Sequence, residues 1–284
     1  NATGGTAGTY YPLGGAMAEI FNKNIAGVNA SAQSTGASVA NVNLLREGEV
    51  QVALIQNDIA YYAANGTEMF EGNQYSDLRG MASLYPETIQ IITLASKGIE
   101  SVADLKGKKV AVGAAGSGTE ANARQILEAA GITYDDITVQ YLSFGEAASN
   151  LKDGNIDAAF ITAGFPTAAV QDVAASRDIK LVSLDSELVA KLIDTYPFYT
   201  ETPIPAGVYP KQDEEIQAVS VMAMLATNTS LDSDLVYEMV KSIYTNLDRL
   251  ETAHSVGKQI TQDNAMAGMS IDLHPGAQQF FEGK

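Results

Sequence analysis

Two kinds of hydrophobic segment alternate along the chain: short continuous apolar runs, and longer segments whose apolar residues recur at helical spacing. The short runs are typical of buried strands, and the longer segments are typical of amphipathic helices. Leu13, Met17 and Phe21, for example, fall on one helical face. Pro12 suits the first turn of that helix, which is predicted over 13–24. The alternation predicts parallel strands connected by helices, which is an α/β fold.

The same spacings give approximate bounds for the other elements. Predicted strands cover 28–33, 50–55, 81–84, 89–95, 109–112, 138–142, 158–161, 180–183 and 219–226. Predicted helices cover 36–47, 58–63, 101–107, 119–130, 146–152, 166–176, 188–196, 231–245 and 247–256. Four prolines between 196 and 210 exclude a regular helix there.

This order of elements predicts two lobes, each a mostly parallel sheet with helices on both faces. The proline-rich segment is expected to return the chain to the first lobe. Lobe one is therefore predicted over 1–92 plus 205–284, and lobe two over 93–204. The chain would cross twice between the lobes, with a ligand cleft between them.

A glycine-rich loop that opens a helix occurs twice, about 108 residues apart. The first copy reads GGTAGTY at 4–10, and the second reads GAAGSGT at 113–119. The first turn of a helix presents free N–H groups, and the helix dipole favours negative charge there. The duplication predicts two lobes that close on one small anionic ligand, with Thr9 and Ser117 facing the same cleft.

Composition narrows the possible partners. The 284 residues carry a net charge of −17, from 34 acidic and 17 basic residues, which disfavours nucleic acid and anionic membrane surfaces. Surface charge is screened within about 10 Å at 0.1 M salt, so a small anion can still bind locally. The chain has no cysteine, which excludes disulfides, thiolate metal sites and cysteine nucleophiles.

No run reaches the roughly 18 apolar residues of a membrane-spanning helix. The chain begins without Met and shows no signal peptide, so we expect a leader that has been removed. The predicted location is the periplasm or another extracytoplasmic space. Whether the protein carries a lipid anchor stays open.

Enzyme motifs are incomplete. GSGTEA at 116–121 matches the G-x-G-x-x-A dinucleotide fingerprint, but the next predicted strand ends in Tyr141-Leu142-Ser143, without the acid that binds ribose. No P-loop, G-x-S-x-G elbow or H-E-x-x-H motif occurs, and the only histidines are His254 and His274. We therefore expect no enzyme activity, no cofactor and no metal. An NAD-dependent or other two-domain enzyme using the GSGTEA loop remains the alternative, and a purely adhesive surface protein is a third hypothesis.

Candidate ligand-binding residues follow from the loops and from the residues that end predicted strands. Hydroxyl and N–H groups of the loops would form a neutral cradle for a carboxylate, Gln56 would orient the ligand, and Phe165 would cover it. Capping by Thr9, Ser117 or Thr119 is compatible with this role. The candidates are Gly8, Thr9, Tyr10, Ser34, Gln56 and Asn57 in lobe one, and Gly116, Ser117, Gly118, Thr119, Ala163, Gly164 and Phe165 in lobe two.

Five segments in family-like order carry a resemblance. They read ATGGTAGTYYPLGG at 2–15, QNDIAYY at 56–62, GSGTE at 116–120, PAGVYP at 205–210 and HPGA at 274–277. Together they resemble the TAXI-type substrate-binding proteins of TRAP transporters over nearly the whole chain. Asn57 departs from the family pattern, in which many members carry serine.

The resemblance implies a type II periplasmic-binding-protein-like fold with two lobes. It also implies that the protein delivers its ligand to the membrane permease subunits of a sodium-coupled TRAP transporter. The implied ligands are small carboxylates: glutamate, glutamine or a dicarboxylate. We expect the protein to act as a monomer.

Overall fold

A computed structural model gives the structure of residues 1–283. The helices are α1 (Tyr10–Asn24), α2 (Ser38–Arg46), α3 (Asn57–Asn65), α4 (Gly118–Ala129), α5 (Phe144–Asp153), α6 (Ala168–Ala174), α7 (Ser186–Thr195), α8 (Ser233–Tyr244), α9 (Leu247–Ala253) and α10 (Pro275–Phe281). The strands are β1 (Ala53–Gln56), β2 (Leu78–Leu94), β3 (Lys109–Ala111), β4 (Thr138–Gln140), β5 (Ala158–Ala163), β6 (Ile179–Leu181), β7 (Thr200–Glu201) and β8 (Val219–Asn228). Short 3₁₀ helices lie at Glu68–Phe70, Ala95–Lys97, Val102–Leu105, Tyr134–Asp136, Ser255–Gln259 and Gln262–Asn264.

The chain divides into two compact units. Unit 1 comprises Asn1–Pro86 and the chain from Met222 onward, and unit 2 comprises Glu87–Val221. Both divisions fall inside long strands, the first within β2 and the second within β8.

Unit 1 is built on an apolar core formed largely by helices. Helix α1 packs against α8 and α9, and α8 packs against α10. Strand β1 pairs antiparallel with β8, with Ala53 opposite Ala226. The first residues of the chain run parallel to β1, because Ala2 bridges Ala53 on one side and Gln33 on the other. The core members include Leu13, Met17, Phe21, Leu54, Leu84 and Val240.

Unit 2 contains the strand order β2-β5-β3-β4. Strand β3 is parallel to both β4 and β5, whereas β2 is antiparallel to β5, with Thr88 opposite Ala163. Strand β6 pairs antiparallel with β2, and β7 pairs antiparallel with β8. Helix α4 packs on β5 and α7, and helix α5 packs on α6.

The α/β class is as predicted, but the sheets are more mixed than expected. Among the named strands, β3 pairs in parallel with β4 and β5, while β2 and β8 add antiparallel pairs. We predicted two strands, over 81–84 and 89–95, where one strand of 17 residues runs through. Pro86 and the polar residues Glu87 and Thr88 suggested a break because proline is rare inside strands. Both polar residues are nevertheless buried.

Two other local predictions differ from the structure. The segment 28–33 is not a strand, and only Gln33 makes a bridge. Helix α10 lies outside the predicted helices, because its seven residues are few for a periodic pattern.

The segment 205–221 belongs to unit 2, whereas the sequence placed it in lobe one. Ile204 and Ile216 exchange backbone hydrogen bonds of 2.8 and 2.9 Å, which close this segment into a loop. The hydroxyl of Tyr209 then donates to Gln90 of β2. The bond between Tyr209 and Gln90 joins residues 119 positions apart, so local patterns could not place the segment. No helix within residues 1–283 has the length and apolar character needed to cross a membrane.

Candidate functional site

Three parallel segments of unit 1 end at one edge. The N–H of Leu54 donates to the carbonyl of Ala2 at 3.0 Å, and the N–H of Thr3 donates to Gln33 at 3.0 Å. The chain therefore runs in parallel through residues 2–4, 33–35 and 53–56. Because the carboxyl ends of parallel strands meet at the same edge, the first glycine loop, Ser34 and Gln56 lie near one another.

The first glycine loop makes a tight turn before helix α1. The N–H of Gly8 donates to the carbonyl of Gly5 at 3.1 Å. Thr9 and Tyr10 are buried, and the 15-residue helix α1 starts at Tyr10. The side chain of Thr9 makes no capping bond to this helix. The alternative that Thr9 only caps this helix is therefore not supported, and the N-terminus of α1 has N–H groups that can bind an anion.

A buried asparagine, Asn41, holds this edge together. Its Nδ2 donates to the carbonyl of Thr3 at 2.7 Å and to the carbonyl of Leu54 at 2.8 Å. Its Oδ1 accepts from the hydroxyl of Thr35 at 2.6 Å. Ser34 lies beside it and donates to the carbonyl of Gly4 at 2.9 Å. Asn41 is not among the residues predicted for the site, although a polar residue on the apolar face of a predicted helix was the available signal.

The turn that leads into α2 has an unusual backbone. Ala37 has φ 73° and ψ −144°, a conformation that costs free energy for a residue with a side chain. Ser38 begins the helix, and its Oγ accepts from the N–H of Gln56 at 3.1 Å. Non-glycine residues in such conformations cluster at functional sites, which agrees with the position of this turn at the edge.

Gln56 and Asn57 have different surroundings. Gln56 is buried, and its Nε2 donates to the carboxylate of Asp58 at 3.1 Å. Asn57 Oδ1 accepts from the N–H of Met222 at 3.0 Å, and its Nδ2 donates to the carbonyl of Gly268 at 3.1 Å. Asn57 thus has a structural role in unit 1, and we leave it out of the proposed ligand contacts.

Unit 2 repeats the arrangement with β3, β4 and β5. These three strands are parallel, so their carboxyl ends lie at one edge of the sheet. The loop 113–117 leads into α4, Ser143 leads into α5, and residues 164–167 lead into α6. The predicted candidates of this lobe therefore lie on neighbouring loops.

Ser117 caps helix α4. Its Oγ accepts from the N–H of Glu120 at 3.2 Å and donates to the carbonyl of Ala114 at 2.6 Å. Gly113 has φ 97°, and a Cβ added there would lie 2.8 Å from Thr119 Cβ. This glycine is required for the close approach of the loop to the helix. The capping reading of Ser117 is confirmed, and Gly116, Gly118 and Thr119 surround the same helix start.

The loop after β5 is fixed by a ring of hydrogen bonds. The hydroxyl of Tyr209 donates to Gln90 Oε1 and accepts from the N–H of Thr167 at 2.9 Å. Gln90 Nε2 donates to the hydroxyl of Thr167 at 2.9 Å, and that hydroxyl donates to the carbonyl of Gly164 at 2.9 Å. Burial raises the pKa of the Tyr209 phenol, so this hydroxyl stays protonated and remains a donor. Phe165 in the same loop is only half-buried, so it does not have a core role.

Helix α4 is also attached through its interior side. Thr162 of β5 donates to Asn122 Oδ1 at 3.1 Å, and Asn122 Nδ2 donates to the hydroxyl of Tyr199 at 3.0 Å. Buried polar groups satisfied in this way specify one arrangement of strand and helix. These hydrogen bonds therefore fix the position of α4 and of its N-terminus.

The positive potential at the candidate loops comes from backbone N–H groups. The loops 4–10, 33–37, 113–119 and 163–167 contain no Lys, Arg or His. N–H groups at the starts of α1 and α4 therefore supply the positive potential. No group of three His, Cys, Asp or Glu residues within residues 1–283 could hold a metal ion.

Both histidines cap helical turns. His274 Nδ1 accepts from the N–H of Gly276 at 3.2 Å, and its Nε2 lies 3.0 Å from the carbonyl of Leu231. His254 Nδ1 accepts from the N–H of Val256 at 3.1 Å. Both positions are in unit 1, and these contacts give both histidines a structural role.

The full sequence matches the NMT1-like family over residues 1–284. The chain belongs to this family. The family match covers both units, and it includes the glycine loops, the segment 205–210 and α10.

Solved structures share the fold of this NMT1-like chain. The alkanesulfonate-binding protein SsuA from Xanthomonas axonopodis pv. citri, bound to MOPS, is 14% identical, with 91% of this chain and 81% of that chain covered and a TM-score of 0.51. A protein of Bordetella bronchiseptica RB50 is 18% identical, with coverages of 96% and 82% and a TM-score of 0.57. An ancestral arginine-binding protein bound to arginine is 19% identical, with coverages of 87% and 85% and a TM-score of 0.50. The likeness confirms an α/β fold of the periplasmic-binding-protein type.

Proposed function

We propose that the protein is an extracytoplasmic solute-binding protein that captures a small carboxylate and delivers it to a membrane permease. The observation that carries the proposal is the repeated edge: in each unit, parallel strand ends place a glycine loop and a long helix N-terminus beside other strand-end loops. Structures with this fold include proteins bound to a sulfonate buffer and to arginine, both of which carry an anionic group.

The carboxylate is proposed to bind at N–H groups of Gly8, Thr9 and Tyr10, or of Gly116 to Thr119. Charge-assisted hydrogen bonds of this kind contribute about 1.5–3 kcal/mol each when water is excluded. Gln56 would orient the ligand, and Phe165 would cover it. The half-buried ring of Phe165 leaves surface that a ligand can contact.

The ligand class follows from the cradle and from the resemblance to TAXI-type proteins. Glutamate, glutamine, 2-oxoglutarate and succinate each carry a carboxylate that a neutral N–H cradle can bind. We propose the TRAP type of permease because the five resembling segments run from residue 2 to residue 277. We propose that the protein acts as a monomer, without a cofactor.

Calorimetry with L-glutamate, L-glutamine, 2-oxoglutarate and succinate tests the proposal. At least one of them should bind, and a hundredfold excess over its dissociation constant should stabilise the protein by about 2.7 kcal/mol. If none gives heat or a thermal shift, the proposed ligand class is wrong.

Two matched pairs of variants test the loops. Thr9→Val and Thr119→Val remove one buried hydroxyl each and keep the side-chain shape, so each should weaken binding about tenfold if its hydroxyl contacts the ligand. Thr67→Val in unit 1 and Thr138→Val in unit 2 make the same change at exposed positions and should leave the dissociation constant unchanged. Equal dissociation constants for all four variants would contradict the role of the loops.

Uptake into membrane vesicles tests the permease type. Transport that requires a sodium gradient and continues without ATP would support a TRAP permease. Transport that stops when ATP is depleted but continues without sodium would contradict it.

A further inference from the structure

Strand β2 carries a short polar strip where it runs through unit 2. Thr88 and Gln90 are two residues apart, so their side chains lie on the same face of the strand. Each is only 1% exposed. The amide of Gln90 is engaged by Thr167 and Tyr209 in the hydrogen-bonded ring. By contrast, Thr88 Oγ1 is buried and has no hydrogen-bond partner within residues 1–283.

The register of the sheet places Thr88 at the candidate edge. Thr88 lies directly opposite Ala163, the last residue of β5. Directly opposed residues project to the same face of a sheet, so the hydroxyl lies beside the start of the loop formed by Gly164 and Phe165. Strand β3, parallel to β5, ends at this edge too and leads into the loop 113–117.

An unpartnered buried hydroxyl needs an explanation. It has lost its hydrogen bonds to water and has gained none from the protein, which destabilises the folded state. Packing alone does not account for it, because valine has the same shape, suits a strand equally well and carries no polar group. Native proteins retain few such groups, and one that lies beside a binding loop can be satisfied by a ligand.

We propose that Thr88 is a further ligand-binding residue, whose hydroxyl donates a hydrogen bond to an oxygen of the bound carboxylate compound. The inference rests on the proposed function, since it assigns one more contact to the same site. The ring of hydrogen bonds among Tyr209, Gln90 and Thr167 holds the neighbouring loop in place, so the hydroxyl of Thr88 lies beside a fixed loop. Neither spacing nor motif marked Thr88 in the sequence, because its significance lies in the pairing of β2 with β5.

Thr88→Val and Thr88→Ser separate ligand binding from packing. The probe is whichever of L-glutamate, L-glutamine, 2-oxoglutarate and succinate the wild-type protein binds most tightly. Thr88→Val should raise the dissociation constant about tenfold or more. It should leave the thermal midpoint of the ligand-free protein unchanged or raised, because the buried hydroxyl is removed. Thr88→Ser keeps the hydroxyl and should bind nearly as tightly as the wild-type protein.

Thr93→Val is the matched control on the same strand. Thr93 is also buried, but its hydroxyl donates to the carbonyl of Asp157 at 2.6 Å. This variant should therefore lower the thermal midpoint and leave the dissociation constant unchanged.

The outcomes distinguish the two proposals. A Thr88→Val variant that binds as tightly as wild type, beside a wild-type protein that binds its carboxylate, overturns the role of Thr88 alone. Equal losses of affinity in Thr88→Ser and Thr88→Val would assign the effect to packing and overturn it as well. A wild-type protein that binds none of the four compounds overturns the proposed function and this inference together.

Discussion

The hydroxyl of Tyr209 can be removed with little change in shape, which makes Tyr209→Phe a clean test of the loop after β5. Tyr209 is 2% exposed, and phenylalanine would place the same ring in this buried site without the hydroxyl oxygen. The change removes the acceptor of the Thr167 N–H and the donor to Gln90 Oε1. Both of the remaining groups stay buried without these partners.

The structure sets the size of the effect. Leaving a buried polar group unsatisfied costs about 1–3 kcal/mol, and two such groups are created. The expected total loss in the free energy of unfolding is therefore about 2–6 kcal/mol, because the bond between Gln90 Nε2 and the Thr167 hydroxyl does not involve either of these two groups. No cavity contribution is added, because the ring is retained.

Amide hydrogen exchange gives the sharpest readout. The Thr167 amide should exchange faster in Tyr209→Phe, and urea unfolding should show the loss of stability in unit 2. Tyr237→Phe in unit 1 is the control, because the ring of Tyr237 packs on Phe280 and does not need a hydroxyl for that contact. Unchanged protection of the Thr167 amide would refute the hydrogen-bonded ring as the support of this loop.

Two further predictions concern unit 1. Asn41→Ala should lower the free energy of unfolding by about 2–4 kcal/mol and weaken carboxylate binding, because the segments around residues 3, 35 and 54 lose their common hydrogen-bond partner. The control is Asn43→Ala, at a half-buried position of the same helix. Equal stability of the two variants would contradict the role of Asn41. Burial lowers the pKa of His274, so the folded protein binds a proton there less readily than the unfolded chain. The stabilising contribution of neutral His274 should be present above the usual histidine pKa of about 6.5 and decline as the pH falls below it. His274→Gln should flatten the dependence of the unfolding free energy on pH in this range, and an unchanged slope would show that another group titrates.

Local patterns predicted most helices and the strand-helix repeats of both units. Ser117 and Ser143 are helix caps in the structure. Each has a glutamate three positions later, and this capping pattern is visible in the sequence. Such signals work because the interacting groups are within one helical turn. The continuous strand β2 was missed because Pro86, Glu87 and Thr88 look like a break, and only pairing with distant strands makes them extended.

The residues that support the candidate site could not be found by local reasoning. Tyr209 and Gln90 are 119 positions apart, and Asn41 and Thr3 are 38 apart. A tyrosine or asparagine in a sequence shows neither its burial nor its partner, and both are set by the tertiary structure. The motif PAGVYP was recognised through resemblance, but its physical role, which is to bring Tyr209 to the loop after β5, required the structure. The ligand contacts and the TRAP assignment stay predictions.

A crystal structure of the protein with its bound carboxylate compound tests the central claim most directly. We predict that the carboxylate oxygens lie about 2.7–3.2 Å from N–H groups at the start of α1 or α4, with no lysine or arginine in contact. A carboxylate held by a lysine or arginine side chain, with both helix starts unoccupied, would contradict the account.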